Sequence, residues 1–374
     1  MAAKNSFNGL IRQWIMSIDK GSLLAVMCLI CVGVWVSIAS TPAVAMKLNL
    51  PPFHFVKHHI IMLLISIFIM ILTSFLQIRH IRRIALIGYF IFFILTILTL
   101  VMGAEIKGAK RWLVLYGFSL QPSEFFKPIL AVISAWLITE QYRDRKFPGI
   151  ALSTIGVGIV MPFLLLQPDI GMTVIIGLSA IGQFFISGLS VFMLTLFLLS
   201  ALAAFFGLYF TLPHFADRID RFLMSDGGEA DMYQVQKSLE AFKSGGLFGK
   251  GPGEGVIKTM VPDSHSDFVF SVIAEEFGFI MCIIIIALFI FFIVRSLLRA
   301  MESSNIFNIS VVFGITFQIG LQVLINTATA LNLIPTKGMT MPFISYGGSS
   351  MLTSAISIGV LLAITKRKSM IHVL

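Results

Sequence analysis

The stretch "DFVFSVIAEEFGFIMCIIIIALFIFFIV", residues 267–294, decides the fold. From Phe277 to Val294 it carries no charge, and about 18 apolar residues cross the ~30 Å hydrocarbon layer as a helix. A helix of a soluble domain needs only one apolar stripe, whereas this one is apolar all round, so its solvent is lipid. Its start nonetheless holds Asp267, and Glu275 and Glu276 follow about 12–13 Å deeper by helix rise. Ionisable side chains at that depth face a partner or a watery cavity. On a helical wheel Glu275 lies about 80° from Asp267, within reach of the same cavity, and Glu276 about 180° away, toward another helix. Lys127 is one candidate partner for them.

The rest of the chain repeats the pattern. Of 374 residues 57% are hydrophobic and 12% charged, about half the charge of a soluble domain. Ten apolar segments are expected at 22–39, 58–76, 84–102, 123–139, 149–166, 171–187, 190–211, 267–294, 306–327 and 347–365. The fold class is therefore an all-α polytopic membrane protein with about ten transmembrane helices, forming one integral membrane domain. Residues 1–21 read as a cytoplasmic, interfacial segment, because Ile11, Trp14, Ile15 and Ile18 share one helical face. The first span is too long for a signal-peptide core, which makes it a retained anchor. "CLIC" at 28–31 lies inside that span with no second ligand pair, so Cys28 and Cys31 read as buried thiols.

The net charge of +9 comes from short basic clusters between apolar runs, a pattern of membrane topology rather than of a nucleic-acid groove. The clusters Arg79/Arg82/Arg83, Arg143/Arg145/Lys146, Arg295/Arg299 and Lys366/Arg367/Lys368 share one side with the N-terminus. Both termini are then cytoplasmic. The polar connections 103–122, 167–170, 328–346 and the long loop 212–266, between spans seven and eight, fall outside.

Those outer connections hold the candidate chemistry. In "GAEIKGAKRWLVLYGFSLQPSEFFKPIL" (103–130), Lys110 and Arg111 cluster, and Gln121, Ser123 and Glu124 open the fourth span. Lys127 lies one turn past Glu124, where it either pairs with that acid or lines a cationic pocket for phosphate groups. Asp169 sits at the outer break between two spans, where an acid caps the next helix. "SGGLFGKGPGEG" (244–255) fails as a nucleotide loop, because Gly249-Lys250 is followed by glycine. Val235, Leu239 and Phe242 suggest a short surface helix before it. Ser264-x-x-Asp267 has capping-box spacing, with His265 between. Lys337, Ser345 and Tyr346 lie in an irregular stretch before the last span, and such backbone at membrane depth lines protein or a cavity.

Six stretches in order, "GAKRW", "QPSEFFK", "LQPDIG", "SGGLFGKG", "HSDFVFSVIAEEFG" and "PTKGMTMPFISYGGSS", resemble the signatures of the SEDS family (shape, elongation, division and sporulation). The last is closer to the family's division branch than to its elongation branch, although Met339 and Met341 depart from the usual leucine-rich wording. The resemblance implies a peptidoglycan glycosyltransferase of the bacterial cytoplasmic membrane, at the division septum. It would polymerise lipid II, a disaccharide-pentapeptide on undecaprenyl pyrophosphate, at the outer face. It also implies a class B penicillin-binding protein and divisome membrane proteins as partners, and Asp267 as the essential acid. His265 would orient it, and Lys110, Arg111, Lys127 and Lys337 would meet the pyrophosphate. No cofactor is required by the sequence. A divalent cation, Mg or Mn, bridging Asp267 and pyrophosphate is compatible with it, though no compact ligand motif is present. The competing readings are a lipid II flippase, an elongation-type polymerase and a scaffold that only recruits the transpeptidase. A flippase needs access from both faces, and the cytoplasmic connections carry little beyond anchoring charge.

Overall fold

In a computed structural model, the structure describes residues 7–47, 49–106, 109–115, 118–189, 191–211, 213, 216, 220, 229–303, 305–334 and 338–366. Each of the ten apolar segments is helical over most of its described residues. A short helix α1 (Phe7–Ser17) precedes α2 (Lys20–Lys47), α3 (His54–Ser74) and α4 (Ile78–Met102). Then come α5 (Phe126–Arg143), α6 (Gly149–Leu166), α7 (Ile170–Ile186) and α8 (Val191–Thr211). The chain continues through α9 (Glu229–Gly245) to α10 (Val269–Met301), α11 (Ile306–Ala330) and α12 (Gly348–Ile364). Among the described residues seven helices are long and apolar enough to cross a membrane. The shorter α7 and α12 have 17 residues each, and α5 carries Lys127, Glu140 and Arg143. Helices dominate because a span must satisfy its backbone hydrogen bonds internally.

The centre of the bundle is α11. It packs against α5, α7, α10 and α12, and its buried face carries Asn308, Gln318, Gln322 and Asn326. The Gln183 side chain of α7 donates to the carbonyls of Ala131 (2.8 Å) and Ser310 (2.9 Å), tying three helices together. Where apolar contact gives no preference over lipid, such polar bonds and close packing hold helices together.

The two ends of the bundle differ. At one, Arg295 grips Asp19 through Nε (2.7 Å) and Nη2 (2.5 Å), and Trp14 donates to Ser74 Oγ (2.8 Å), docking α1 onto α3 and α10. Burial opposes ionisation of Asp19, but hydrogen bonds from Arg295 and Ser22 hold its carboxyl far below the usual range. The opposite end gathers the polar connections. Within the outer connection, expected only as a loop, β1 (Ala104–Ile106), β2 (Ala109–Leu115) and β3 (Phe118–Leu120) form a three-stranded antiparallel sheet in that order. Pairings Glu105 with Lys110 and Val114 with Ser119 set its register.

The helix α9 is longer than its sequence pattern, and it is not a surface helix. Ser238 and Ala241 are fully buried, and Ser238 Oγ donates to the Ala330 carbonyl (2.6 Å) while sharing a hydrogen bond with Ser271.

Candidate active site at the polar end of the bundle

Two polar clusters meet at this end. The first is built from β2, the start of α5 and the α6–α7 turn. Pro122 opens a one-turn 3-10 helix, Pro122–Phe125, that buries Ser123 and Glu124 before α5 begins. Lys127 Nζ stands 2.5 Å from Glu124 Oε2, and Thr353 of α12 donates to the same oxygen (3.3 Å). The local ion pair is therefore real and buried. Gln121 bridges outward: its backbone N–H donates to Ser349 Oγ (2.9 Å), and its amide to Ser123 Oγ (3.2 Å) and Asp169 Oδ2 (3.1 Å). Arg111 reaches from β2 to donate to the carbonyls of Gln167 (2.7 Å) and Pro168 (2.5 Å), with Asp169 Oδ1 at 3.8 Å.

Asp169 caps α7 by accepting from the Met172 N–H (3.4 Å), and it also belongs to this cluster, so capping and a site role coincide. Burial pushes its carboxyl above the usual range; Arg111 opposes the shift and nearby Glu124 adds to it. Among the described residues Lys110 is exposed on β2, and no bond to the cluster is seen. Lys337 lies outside the described residues.

The second cluster surrounds Asp267. Residues 262–268 form tight turns rather than a helix, with the N–H groups of Ser266, Asp267 and Phe268 converging on the Asp263 carbonyl (3.0–3.3 Å). The helix α10 starts at Val269 with Phe268 in the N-cap position and no side-chain cap bond. Ser264 and Asp267 therefore precede the helix, and the capping-box expectation is wrong: the turns absorb the residues that would have capped it. What holds Asp267 is the segment before α12. Asn326 donates to the carbonyls of Asp267 (2.9 Å) and Met339 (2.6 Å). Ser345 Oγ donates to the Ser266 carbonyl (2.7 Å) and accepts from the Met341 N–H (2.8 Å). The Tyr346 N–H donates to the His265 carbonyl (2.8 Å), and the two rings lie 5.4 Å apart. A Cβ added at Gly338 would stand 2.9 Å from Asp267 Oδ2, so a side chain there would push the carboxylate from its place against that backbone.

The clusters are joined. Met339 packs over Gly171, two residues past Asp169, so closely that a Cβ there would meet its methyl at 2.5 Å. Ser349 contacts Gln121, and neighbouring Ser350 shares a 2.5 Å hydrogen bond with Thr340. The loop that holds Asp267 thereby also lies against the start of α7, two residues past Asp169.

Glu275 and Glu276 lie elsewhere than expected. Glu275 does not share a cavity with Asp267; its carboxylate accepts from the N–H groups of Ile257 (2.8 Å) and Lys258 (2.7 Å) at a short 3-10 helix, Ile257–Thr259. Glu276 pairs with Lys258, not with Lys127, and Lys258 Nζ also donates to the carbonyls of Ala39 (2.9 Å) and Gly253 (3.2 Å). The wheel fails at its start, because Asp267 lies in the turns before Val269; beyond the glutamates α10 is also broken, at Gly278, which has φ 79° and ψ 177°, a conformation open essentially to glycine alone. The glycine-rich loop supplies the lost bonds. Lys250 and Gly251 N–H donate to the carbonyls of Glu275 and Glu276, and Phe279 and Ile280 N–H donate to those of Gly246 and Leu247 (3.0–3.2 Å). A Cβ at Gly249 would meet the Glu276 carbonyl oxygen at 2.2 Å, so the glycines serve backbone-to-backbone contact. Sequence reasoning missed Lys258, Asn326 and Gly338; only the long-range folding of loop on helix reveals them.

Among the described residues no three His, Cys, Asp or Glu side chains gather as a metal-ligating group.

A bundle of apolar helices, broken at one and closed at one end by a polar mouth around buried ion pairs, defines a polytopic membrane protein whose polar residues gather at that end. The model of the FtsW/RodA/SpoVE family of cell cycle proteins matches residues 20–370, and the chain belongs to that family. Its relatives include the probable peptidoglycan glycosyltransferase FtsW of Caulobacter vibrioides, 40% identical over 356 residues, covering 95% of this chain and 91% of that one. The equivalent from Coxiella burnetii is 35% identical over 271 residues, covering 71% and 73% of the two chains. Among solved structures, a chain of a peptidoglycan synthase complex that coordinates polymerization and crosslinking is similar at TM-score 0.75 and 26% identity, covering 93% of this chain and 97% of that one. The rod shape determining protein RodA of Thermus thermophilus follows at TM-score 0.67 and 26% identity, covering 93% and 96%.

Proposed function

We propose that this protein is a peptidoglycan glycosyltransferase that builds glycan strands during septal cell-wall synthesis. Its relatives' names and the similarity to a synthase complex support the activity. The substrate is lipid II, presented at the outer face of the cytoplasmic membrane, with both termini on the inner side. The long outer loop, 212–266, belongs to the same membrane domain. The observation that carries the reading is the placement of Asp267: a carboxylate held against Gly338 by turns and Asn326, in a loop whose Met339 packs on Gly171 beside Asp169.

The geometry suits an inverting transfer. The acceptor's GlcNAc 4-hydroxyl oxygen attacks the donor's MurNAc anomeric carbon. The bond from that carbon to the diphosphate oxygen breaks, its electron pair leaves with the undecaprenyl diphosphate, and the hydroxyl proton passes to Asp267. A positioned base contributes about 10²–10⁴-fold. Arg111 and Lys127, fixed in advance by their own partners, face the charge that develops on the leaving diphosphate. His265 and Tyr346 hold the turn that carries Asp267. A Mg or Mn ion brought in with the substrate phosphates would be held on the protein side by Asp267, since Mg typically takes one or two carboxylates plus substrate phosphates. It would supply charge neutralisation there. The partner is a class B penicillin-binding protein, which crosslinks what this chain polymerises, among divisome membrane proteins.

The test is glycan synthesis from labelled lipid II by the purified protein in detergent, with and without that partner. Detergent removes the two compartments, so a flippase has nothing to do there. Asp267→Asn should stop polymerisation by at least about 100-fold while thermal unfolding stays unchanged. Wild-type rates from Asp267→Asn would overturn the assignment of the base, and absence of glycan even with the partner would overturn the activity.

A further inference from the structure

We infer that Asn326 is a positioning residue for the transfer step: it acts through Asp267, fixing where the base stands relative to the groups around it; this rests on the polymerase reading above. Asn326 lies near the end of α11, the central helix, and its side chain is fully buried. It therefore does not itself meet substrate. Its amide nitrogen donates to two backbone carbonyls, those of Asp267 (2.9 Å) and Met339 (2.6 Å). Two carbonyls demand two donors, which the NH₂ group of an asparagine supplies from one atom. Among the described residues no donor reaches its Oδ1. An unpaired buried acceptor costs stability, so packing alone gives no reason for an amide at this position.

Other amides around α11 behave differently. Gln318 donates to Ser179 Oγ of α7 (3.1 Å), and Gln183 of α7 donates to carbonyls of α5 and α11. Those bonds join helix to helix. Asn326 instead joins a span to two loops, at the two peptides that matter to the base. One is the peptide of Asp267 itself. The other follows Gly338, the backbone against which the Asp267 carboxylate lies. One NH₂ group thus sets both the carboxylate's own backbone and the surface it rests on. The Met339 side chain also packs on Gly171, two residues past Asp169, so the same bond fixes the base relative to the start of α7. Ser345 and Tyr346 bind the turns as well, but they belong to the loop that carries Gly338 and tie loop to loop. Sites fixed to helices are placed more precisely than sites fixed to loops. The transfer needs that precision, because a misplacement of about 1 Å costs about 100-fold in rate.

Asn326→Leu, close in size and without donors, tests this. Initial rates of glycan synthesis from labelled lipid II should show kcat lowered at least about tenfold with KM within about twofold, the pattern of an interaction that counts only in the transition state. The deciding measurement is a cycle with Asp267→Asn. If Asn326 acts through the base, Asn326→Leu takes nothing further from the residual rate of Asp267→Asn, as residues acting as a unit are not additive. A purely structural role would lower that residual rate by the same factor again. Thermal unfolding is read for every variant. Should Asn326→Leu fail to fold, Asn326→Ser, whose hydroxyl keeps one donor, takes its place in the cycle with the same expected pattern. Wild-type kcat in the single variant, a raised KM with kcat intact, or full additivity in the cycle overturns the proposal while the wild type still makes glycan. If the wild type makes none even with its transpeptidase partner, the function reading has failed and this inference falls with it.

Discussion

Replacing Lys258 with Met should destabilise the protein by about 3–5 kcal/mol, the usual cost of removing one member of a buried ion pair. The magnitude follows from what is left behind. Lys258 and Glu276 are 5% and 1% exposed, so the orphaned carboxylate has no route to water. The carbonyls of Ala39 and Gly253 lose a donor as well, at about 1 kcal/mol each where no water replaces it. A Lys258→Met/Glu276→Leu double variant removes both charges and should regain most of the loss, because apolar replacement of a whole buried pair is often neutral. The assay is reversible unfolding in dodecyl maltoside micelles titrated with SDS, run as a double-mutant cycle. Coupling of at least about 2 kcal/mol between the two sites is expected for residues in contact. A single variant within about 1 kcal/mol of wild type, or a double variant as unstable as the sum of the singles, would refute the reasoning. Activity should follow stability, because Lys258 anchors the strand of chain that leads nine residues later to Asp267.

Gly338→Ala should lower polymerisation at least about tenfold with little loss of stability, since the new Cβ would press 2.9 Å from the Asp267 carboxylate at an exposed position and misplaced groups lose rate steeply; initial-rate and melting measurements read the two effects separately. Asp19 titrates below its ordinary value when folded, so its contribution is full above the unfolded pKa of about 3.9 and is lost as pH falls from there toward the depressed folded value. The stability gap between wild type and Asp19→Asn should accordingly stay constant from pH 8 to about 5 and shrink below about 4, as followed by unfolding across that range.

The parts of the fold legible in the sequence are those written within a few residues. Apolar runs such as 277–294 announce helices, Asp169 announces a cap, and Lys127 three residues after Glu124 announces the ion pair that forms. The break in α10 was hidden because a glycine inside hydrocarbon is common in membrane helices, and only its backbone angles mark Gly278 as a discontinuity. Lys258 gave no signal for a related reason: its partner is 18 residues away, and the pairing exists only once the glycine-rich loop has folded against α10. Asp267 was visible as an acid at a membrane threshold, but local spacing suggested a capping box. Its actual hold comes from Asn326 and Gly338, on segments roughly 60–70 residues later, a distance that periodicity arguments do not reach.

The charge balance of the mouth leads to one more expectation. Arg111 faces Asp169 and Lys127 faces Glu124, so each pair is close to neutral as a unit. Such pairs fix donors in position, yet they add little net positive potential to draw a diphosphate from water, because an incoming anion meets the carboxylates along with the cations. Among the described residues, the nearby acids Asp169, Glu124 and Asp267 would all oppose a diphosphate's charge. A divalent cation arriving with the substrate would offset this by neutralising part of the anion's charge beside these carboxylates. Treating the purified protein with EDTA should therefore cut glycan synthesis at least about tenfold, and Mg or Mn, but not an equal ionic strength of Na, should restore it. Binding of lipid II measured without turnover should weaken in parallel if the ion acts by charge. Full polymerisation in EDTA would mean that the protein's cations, paired as they are, suffice for the leaving diphosphate.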